Sequence, residues 1–328
     1  MIRPPTAASA LAVVAAAAAA AAAATLLHRR RRSSRLYRHL RWTRAAGFLT
    51  LHREIEVAVG LAVRCGEAML ATAGAAASMK DGAGGIDPQT ATDLANERLV
   101  MDTLAAEFPS HGLIGEEAAA AAGRVPDVEA RPTWIVDPID GTQNFCHALP
   151  ISCVSIGLCV GGLPSLGVVY DPYRDELFVG IASEAAYLNG QRLCAAAAPS
   201  LEKALVITDV GYERSEVGAR RLGACFEALL QKNVFGLRIV GSTVVALSWL
   251  AAGRCSAVYM GVAKKDSPKA WDWAAAWAIG AAAGVTFLRL DAPATPFSLS
   301  SPSVCAAGST ELAEELRREL RAVLATVP

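Results

Sequence analysis

The 328-residue chain contains no C-x-x-C pair, and it has only five histidines. None of those histidines stands in a metal-ligand spacing with a cysteine, which argues against a zinc site. The eight cysteines, Cys65, Cys146, Cys153, Cys159, Cys194, Cys225, Cys255 and Cys305, sit mostly among apolar residues. They read as reduced, buried thiols of an intracellular protein, not as a disulfide framework. Residues 1–53 lack lysine and acid altogether, yet hold ten arginines. The rest of the chain therefore keeps 21 of the 31 basic residues against all 31 acidic ones. A net acidic body is a poor match for nucleic acid as a partner. Internal repeats are missing too.

What is present begins with an uncharged, alanine-dominated run from Thr6 to Leu27, followed by Arg29 to Arg32 and then Arg35, Arg38, Arg41 and Arg44. Its length allows a helix to span a bilayer, though alanine is only weakly apolar. The basic cluster comes after the apolar run, unlike a secretory signal peptide. Three readings stand. Residues 6–27 anchor the chain with the body facing the cytosol, and the arginines of residues 6–44 touch anionic headgroups. Alternatively the segment is an organellar transit peptide, or a low-complexity tail with no address. Residues 1–50 thus form a leader, and the body runs over 51–328.

In the body, Leu51, Ile55, Val59 and Val63 recur at helical spacing. A second helix is expected over Leu94, Met101, Leu104 and Phe108, after a small-residue loop at Gly74–Gly85 that carries Lys80. Short strand-like runs follow at Thr133–Asp137, Ile151–Val160, Ser165–Tyr170, Glu176–Ala182 and Ala186–Leu193, with a tight turn at Asn189-Gly190. Their close spacing predicts an antiparallel sheet. From Leu205 onward strands and helices alternate, closing with an amphipathic helix over Glu311–Leu324. The order predicts a layered α/β body.

The stretch "WIVDPIDGTQNF" runs three apolar residues from Trp134 directly into Asp137 and Asp140. Carboxylates at a buried strand tip lose water, and a bound cation is the natural compensation. Other acids stand at element ends: Asp93 opening a helix, Glu116 in "LIGEE", and Asp272 in "AWDW". Taken singly, Asp93 or Glu116 would pass as a helix cap or a surface charge. The whole set fits a hard cation such as Mg²⁺, which takes carboxylate and carbonyl oxygens. Paired cations suit attack of water on a phosphate ester. Pro138 stiffens the turn so that Asp137 and Asp140 flank one site with the Ile139 carbonyl inward. Gly141 lets the backbone approach a ligand, and amides at a following helix start suit phosphate oxygens.

"TATD", "LIGEE", "DPIDGTQNF" and "WDWAAAWAIGAAAG" together resemble the inositol monophosphatase family of Mg²⁺-dependent, lithium-sensitive phosphatases, in order and over about Leu51 to Leu324. The resemblance implies a layered αβαβα sandwich, usually dimeric. It implies that Glu116, Asp137 and the Ile139 carbonyl hold a first metal, and that Asp137, Asp140 and Asp272 hold a second. Asp93 and Thr142 orient the attacking water, with Glu116 as candidate base. Gly141, Thr142, Asp140, Ser242 and Asp272 contact the phosphate or the substrate, and Lys80 matches a loop lysine. The implied substrate is inositol monophosphate or a similar small polyol phosphate. Histidinol phosphate or a 3′-phosphonucleotide are alternatives, as is a non-catalytic, membrane-tethered scaffold. Two departures stand out. The strand ending "YYEMG" in the family, which carries its inositol-reading acid, appears as Ala257-Val258-Tyr259-Met260-Gly261, with no acid. A longer loop, Val262–Lys269, brings Lys264, Lys265 and Asp266 instead.

Overall fold

The computed structural model describes residues 34–80, 85–128, 130–263 and 267–327. The alanine run at 6–27, Arg29 to Arg32, and the loop residues Lys264, Lys265 and Asp266 lie outside the described residues.

Among the described residues the order is α1 (34–45), α2 (His52–Thr72), β1 (Ala77–Met79), β2 (Pro88–Thr90), α3 (Ala91–Glu107), β3 (Gly112–Gly115) and α4 (Glu116–Ala122). Then come β4 (Thr133–Asp140), α5 (Thr142–Cys146), β5 (Cys153–Val160), β6 (Leu163–Asp171), β7 (Glu176–Ile181), β8 (Ala185–Leu188) and β9 (Gln191–Arg192). The second half holds β10 (Leu205–Thr208), α6 (Glu216–Gln231), β11 (Gly236–Ile239), α7 (Thr243–Ala251), β12 (Ala257–Met260), α8 (Ala270–Ala282), β13 (Thr286–Leu288), β14 (Val304–Ala307) and α9 (Thr310–Leu324).

Strands β3 to β9 form one seven-stranded sheet in chain order, antiparallel except for the parallel β3–β4 pair. A five-stranded sheet has the order β11-β10-β12-β14-β13. Helices α2 and α3 cover one face of the large sheet, and α7 and α8 fill the space between the two sheets. Helices α6 and α9 cover the far face of the small sheet. The layers are therefore αβαβα. The middle layer sits unusually close because the facing residues are small. A Cβ at Gly157, Gly167 or Gly180 would come within 2.7, 2.1 and 2.8 Å of Ala274, Ala275 and Ile279 of α8. This approach carries the start of α8, and Asp272 with it, to the end of the large sheet.

The second helix differs from the expected apolar stripe. Leu94 is exposed, while the buried face of α3 carries Asp93, Asn96 and Glu97 beside Val100 and Leu104. Each buried polar group has partners. Asn96 Nδ2 donates to the Cys65 carbonyl at 3.3 Å, and Glu97 accepts the Glu117 and Ala118 amides, both at 2.8 Å. Pattern reading scores apolar residues and misses a face paired by hydrogen bonds.

Helix α1, read as part of the leader, packs on the body. His39 is buried, and Trp42 Nε1–H donates to its Nδ1 at 3.1 Å, which leaves Nε2–H to reach Asp175 at 2.9 Å. Burial holds the imidazole below its ordinary pKa. Arg38 and Arg44 pair with Asp175 and Glu56. The packed body thus begins ahead of Leu51. No helix among the described residues is long and apolar enough to cross a membrane. Six of the cysteines are buried, Cys194 is exposed, Cys146 is half-buried, and none of the eight forms a disulfide.

The close layers generate a contrast. Gly167→Ala should lower stability by about 3 kcal/mol, because the added methyl meets backbone that has to shift. Gly223→Ala, on the open face of α6 with no atom within 4 Å of the added carbon, should raise it by about 0.5–1 kcal/mol. Urea unfolding of both variants checks the pair, and equal effects would contradict the packing.

Candidate active site

Strand β4 is buried along its whole length and ends in Asp137-Pro138-Ile139-Asp140. Its pairing with β5 skips from Asp137 to Asp140, so the intervening residues form a bulge. Pro138 has no N–H to lose from the ladder, and a bulge is where a strand tolerates it. The bulge breaks the side-chain alternation that would otherwise put Asp137 and Asp140 on opposite faces. Asp137 Oδ1 accepts the Ile139 amide at 2.9 Å, which pins the turn. Gly141 follows at φ 86°, where a Cβ would lie 2.9 Å from the Ile151 carbonyl. Glycine is therefore required there on both counts.

Asp137, Asp140 and Asp272 each present a carboxylate oxygen, and these oxygens all lie within 4.8 Å of one another. Asp272 arrives from the first turn of α8, where its carboxylate accepts the Lys269 amide at 2.6 Å. Glu116, the first residue of α4, stands close enough to Asp137 to push its carboxyl up. Asp93 caps α3 by accepting the Thr90 amide at 2.9 Å, and its other oxygen faces the Thr142 hydroxyl at 3.3 Å. Thr142 Oγ also lies 2.9 Å from the Ile139 carbonyl. Five separate elements thus bring Asp93, Glu116, Asp137, Ile139, Asp140, Thr142 and Asp272 into one place.

Ser242 reaches the same place in another capacity. It caps α7, and its hydroxyl donates to Asp140 Oδ2, which also accepts the Val244 amide at 3.1 Å. The hydroxyl aims the carboxylate. Lys80 extends into the cleft, with Nζ 2.7 Å from Glu116 Oε1, 3.0 Å from Glu117 Oε2 and 3.9 Å from Asp87. Sequence reading did not single out Asp87, Glu117, Asp209, Tyr212 or Lys269. All but Glu117 line the cleft, a cavity of about 480 Å³, together with Arg124, Met260 and Trp271. No local signal marks these residues, which come from the β1–β2 connection, α4, the loop after β10 and the approach to α8.

The electrostatics are strained. Burial pushes the Asp140 and Asp272 carboxyls up to about 7, and Asp140 adds to the shift of Asp272. Burial also raises Glu116 to about 7, against the pull of Lys80. Asp137 is driven up by burial and by Glu116, Asp140 and Asp272 together. Burial opposes the Lys80 charge, but Glu116, Glu117 and Asp87 outweigh it and hold the ammonium protonated. An all-oxygen donor set short of positive charge fits a hard cation and not a soft one.

A pH dependence follows. With folded-state values near 7 for Asp140 and Asp272 and about 4 unfolded, the native state retains protons that the unfolded chain has lost. The metal-free protein should therefore lose stability as pH rises through that window. Added Mg²⁺ should raise Tm at pH 8 far more than at pH 5.5, because protons compete for the same oxygens below about 7. Thermal melts with EDTA and with Mg²⁺ at both pH values measure this. An Mg²⁺ effect independent of pH would contradict it.

The sequence pattern that defines the inositol monophosphatase family matches residues 50–325. The chain is 46% identical over 177 residues to inositol monophosphatase 1 of Solanum lycopersicum, a match covering 54% of this chain and 64% of that relative. It is 35% identical over 268 residues to inositol monophosphatase 2 of Rattus norvegicus, covering 82% of this chain and 90% of the relative. The solved inositol monophosphatase from Anabaena (Nostoc) sp. PCC 7120 superposes with a TM-score of 0.65 at 27% identity, over 85% of this chain and 97% of that one. The Thermotoga maritima IMPase has a TM-score of 0.72 at 22% identity, over 84% and 100%, and supports the fold. With the pattern matched over nearly the whole body and the αβαβα layers shared, the chain belongs to the inositol monophosphatase family.

Proposed function

We propose that the chain is a Mg²⁺-dependent phosphomonoesterase that hydrolyses inositol monophosphate, or a similar small polyol phosphate, to the alcohol and inorganic phosphate. The observation that carries this reading is the set of three aspartates within 4.8 Å at the floor of the cleft. Water adds to phosphorus, the bond from phosphorus to the ester oxygen breaks, and the alcohol leaves with a proton. Bound Mg²⁺ supplies Lewis-acid activation of the water and neutralises charge on the departing oxygen. Glu116, Asp137 and the Ile139 carbonyl would hold one ion, and Asp137, Asp140 and Asp272 the other.

The protein groups position and move protons. Asp93 and Thr142, already 3.3 Å apart, orient the attacking water. Glu116 accepts its proton. The Gly141 and Thr142 amides open α5 and lack helical carbonyl partners, so they suit phosphate oxygens. Ser242 keeps Asp140 turned toward the cleft. Asp140 and Asp272 also border the substrate. The pairing of Lys80 with Glu116 would have to give way for a cation to take that carboxylate. The family's homodimer is retained in this reading.

Asp137→Asn should reduce Mg²⁺-dependent phosphate release by more than the ~10–100-fold that loss of an outer-shell partner costs, with the circular dichroism spectrum unchanged. Turnover near the wild-type value would remove Asp137 from both metal sites. Millimolar lithium should inhibit the wild type. Specificity constants across inositol 1-phosphate, glycerol 2-phosphate, histidinol phosphate and adenosine 3′,5′-bisphosphate test the substrate class. A dominant rate on the bisphosphate would move the chain to a nucleotidase reading.

A further inference from the structure

Tyr212, on the loop joining β10 to α6, lines the cleft, as does Trp271 at the start of α8. The Tyr212 hydroxyl lies close to the Asp87 carboxylate and within electrostatic reach of Glu116 and Asp272. The ring therefore borders the cleft beside the carboxylates. Its loop is pinned on both sides. Asp209 accepts the Val210 amide at 2.7 Å and those of Gly211 and Gly241. Glu213 is buried and accepts the Ser215 amide at 2.7 Å. It packs where a Cβ on Gly218 would fall 2.2 Å from its side chain. A tyrosine held between two anchored acids, with its hydroxyl beside Asp87, has little freedom to swing aside. On the α4 side the wall carries Ala119, Ala120 and Gly123, which add little bulk.

We propose that Tyr212 is a specificity-determining residue that sets the size of the alcohol the cleft accepts, admitting small polyol phosphates and excluding nucleotides. The inference rests on the phosphomonoesterase reading. It assigns to a ring on the β10–α6 loop a discrimination that the acid-free strand Ala257–Met260 does not supply. Steric exclusion by a fixed ring discriminates through volume, so the sign of the effect should follow side-chain size.

The experiment measures kcat/KM for glycerol 2-phosphate and adenosine 2′-monophosphate in the wild type and in Tyr212→Ala, Tyr212→Phe and Tyr212→Trp, with Mg²⁺. The ratio of the bulky to the small ester should rise about tenfold in the alanine variant and fall in the tryptophan variant. Phenylalanine keeps the ring and loses the hydroxyl beside Asp87, so its ratio should stay near the wild-type value. Thermal melts establish that each variant folds. If the alanine variant does not fold, the tryptophan and phenylalanine ratios decide. Ratios equal across the folded variants would overturn the proposal while leaving the phosphatase reading intact. A phenylalanine ratio as high as that of alanine would also overturn it, by assigning the effect to the hydroxyl. A wild type that releases phosphate from neither ester nor from inositol 1-phosphate would overturn the functional reading, and this inference with it.

Discussion

Mutual repulsion among Asp137, Asp140, Asp272 and Glu116 is the constraint around which the structure is organised. Burial alone penalises each charge, and proximity adds to the penalty at Asp137 and Asp272. The fold imposes this cost because the carboxylates come from three rigid elements whose packing elsewhere is extensive. Strand β4 is buried along both faces, α8 is wedged between two sheets, and α4 is tied by its amides to Glu97. Strain of this kind persists where the surroundings over-determine the geometry, and it marks a place prepared for a ligand. Protons or a cation relieve it; near neutral pH a divalent cation is the more effective of the two.

Close packing of the middle layer determines where the acids meet. Glycines 157, 167 and 180 on three adjacent strands leave room for the backbone of α8 to settle on the sheet. The alanine-rich sequence of that helix serves the same end. Larger side chains on either surface would lift α8 away and carry Asp272 out of reach of Asp140. The small residues that look uninformative in composition therefore set the dimensions of the site. The first turn of α7 adds Ser242 and the Val244 amide, which together fix the orientation of Asp140.

Around the acidic floor the cleft wall is contributed by loops far apart in the chain. Lys80 and Asp87 come from the β1–β2 region, Asp209 and Tyr212 from the loop after β10, and Lys269 from the approach to α8. The carboxylates sit on regular elements, while these loops line the approach to them. That division explains how the acid-free strand at Ala257–Met260 is compatible with a complete set of carboxylates.

Much of this was readable from residue order. The run into "DPIDGT" showed buried charge by itself, because a strand tip carrying two acids has few structural uses. Alternation and spacing located most strands of both sheets, and Asn189-Gly190 marked its hairpin, where both residues have positive φ. The buried polar face of α3 was not readable, since Asn96 and Glu97 look like solvent-facing residues until their partners at Cys65 and Glu117 are in place. Nor was the docking of α1, which depends on His39 meeting Asp175 across the chain. The meeting of Asp272 with Asp140, and of Tyr212 with Asp87, was equally a tertiary matter. Local sequence encodes which backbone a segment prefers and which groups need compensation. Only the packing of distant segments decides which group supplies that compensation, because hydrogen bonds and charge interactions act over a few ångströms and carry no sequence address.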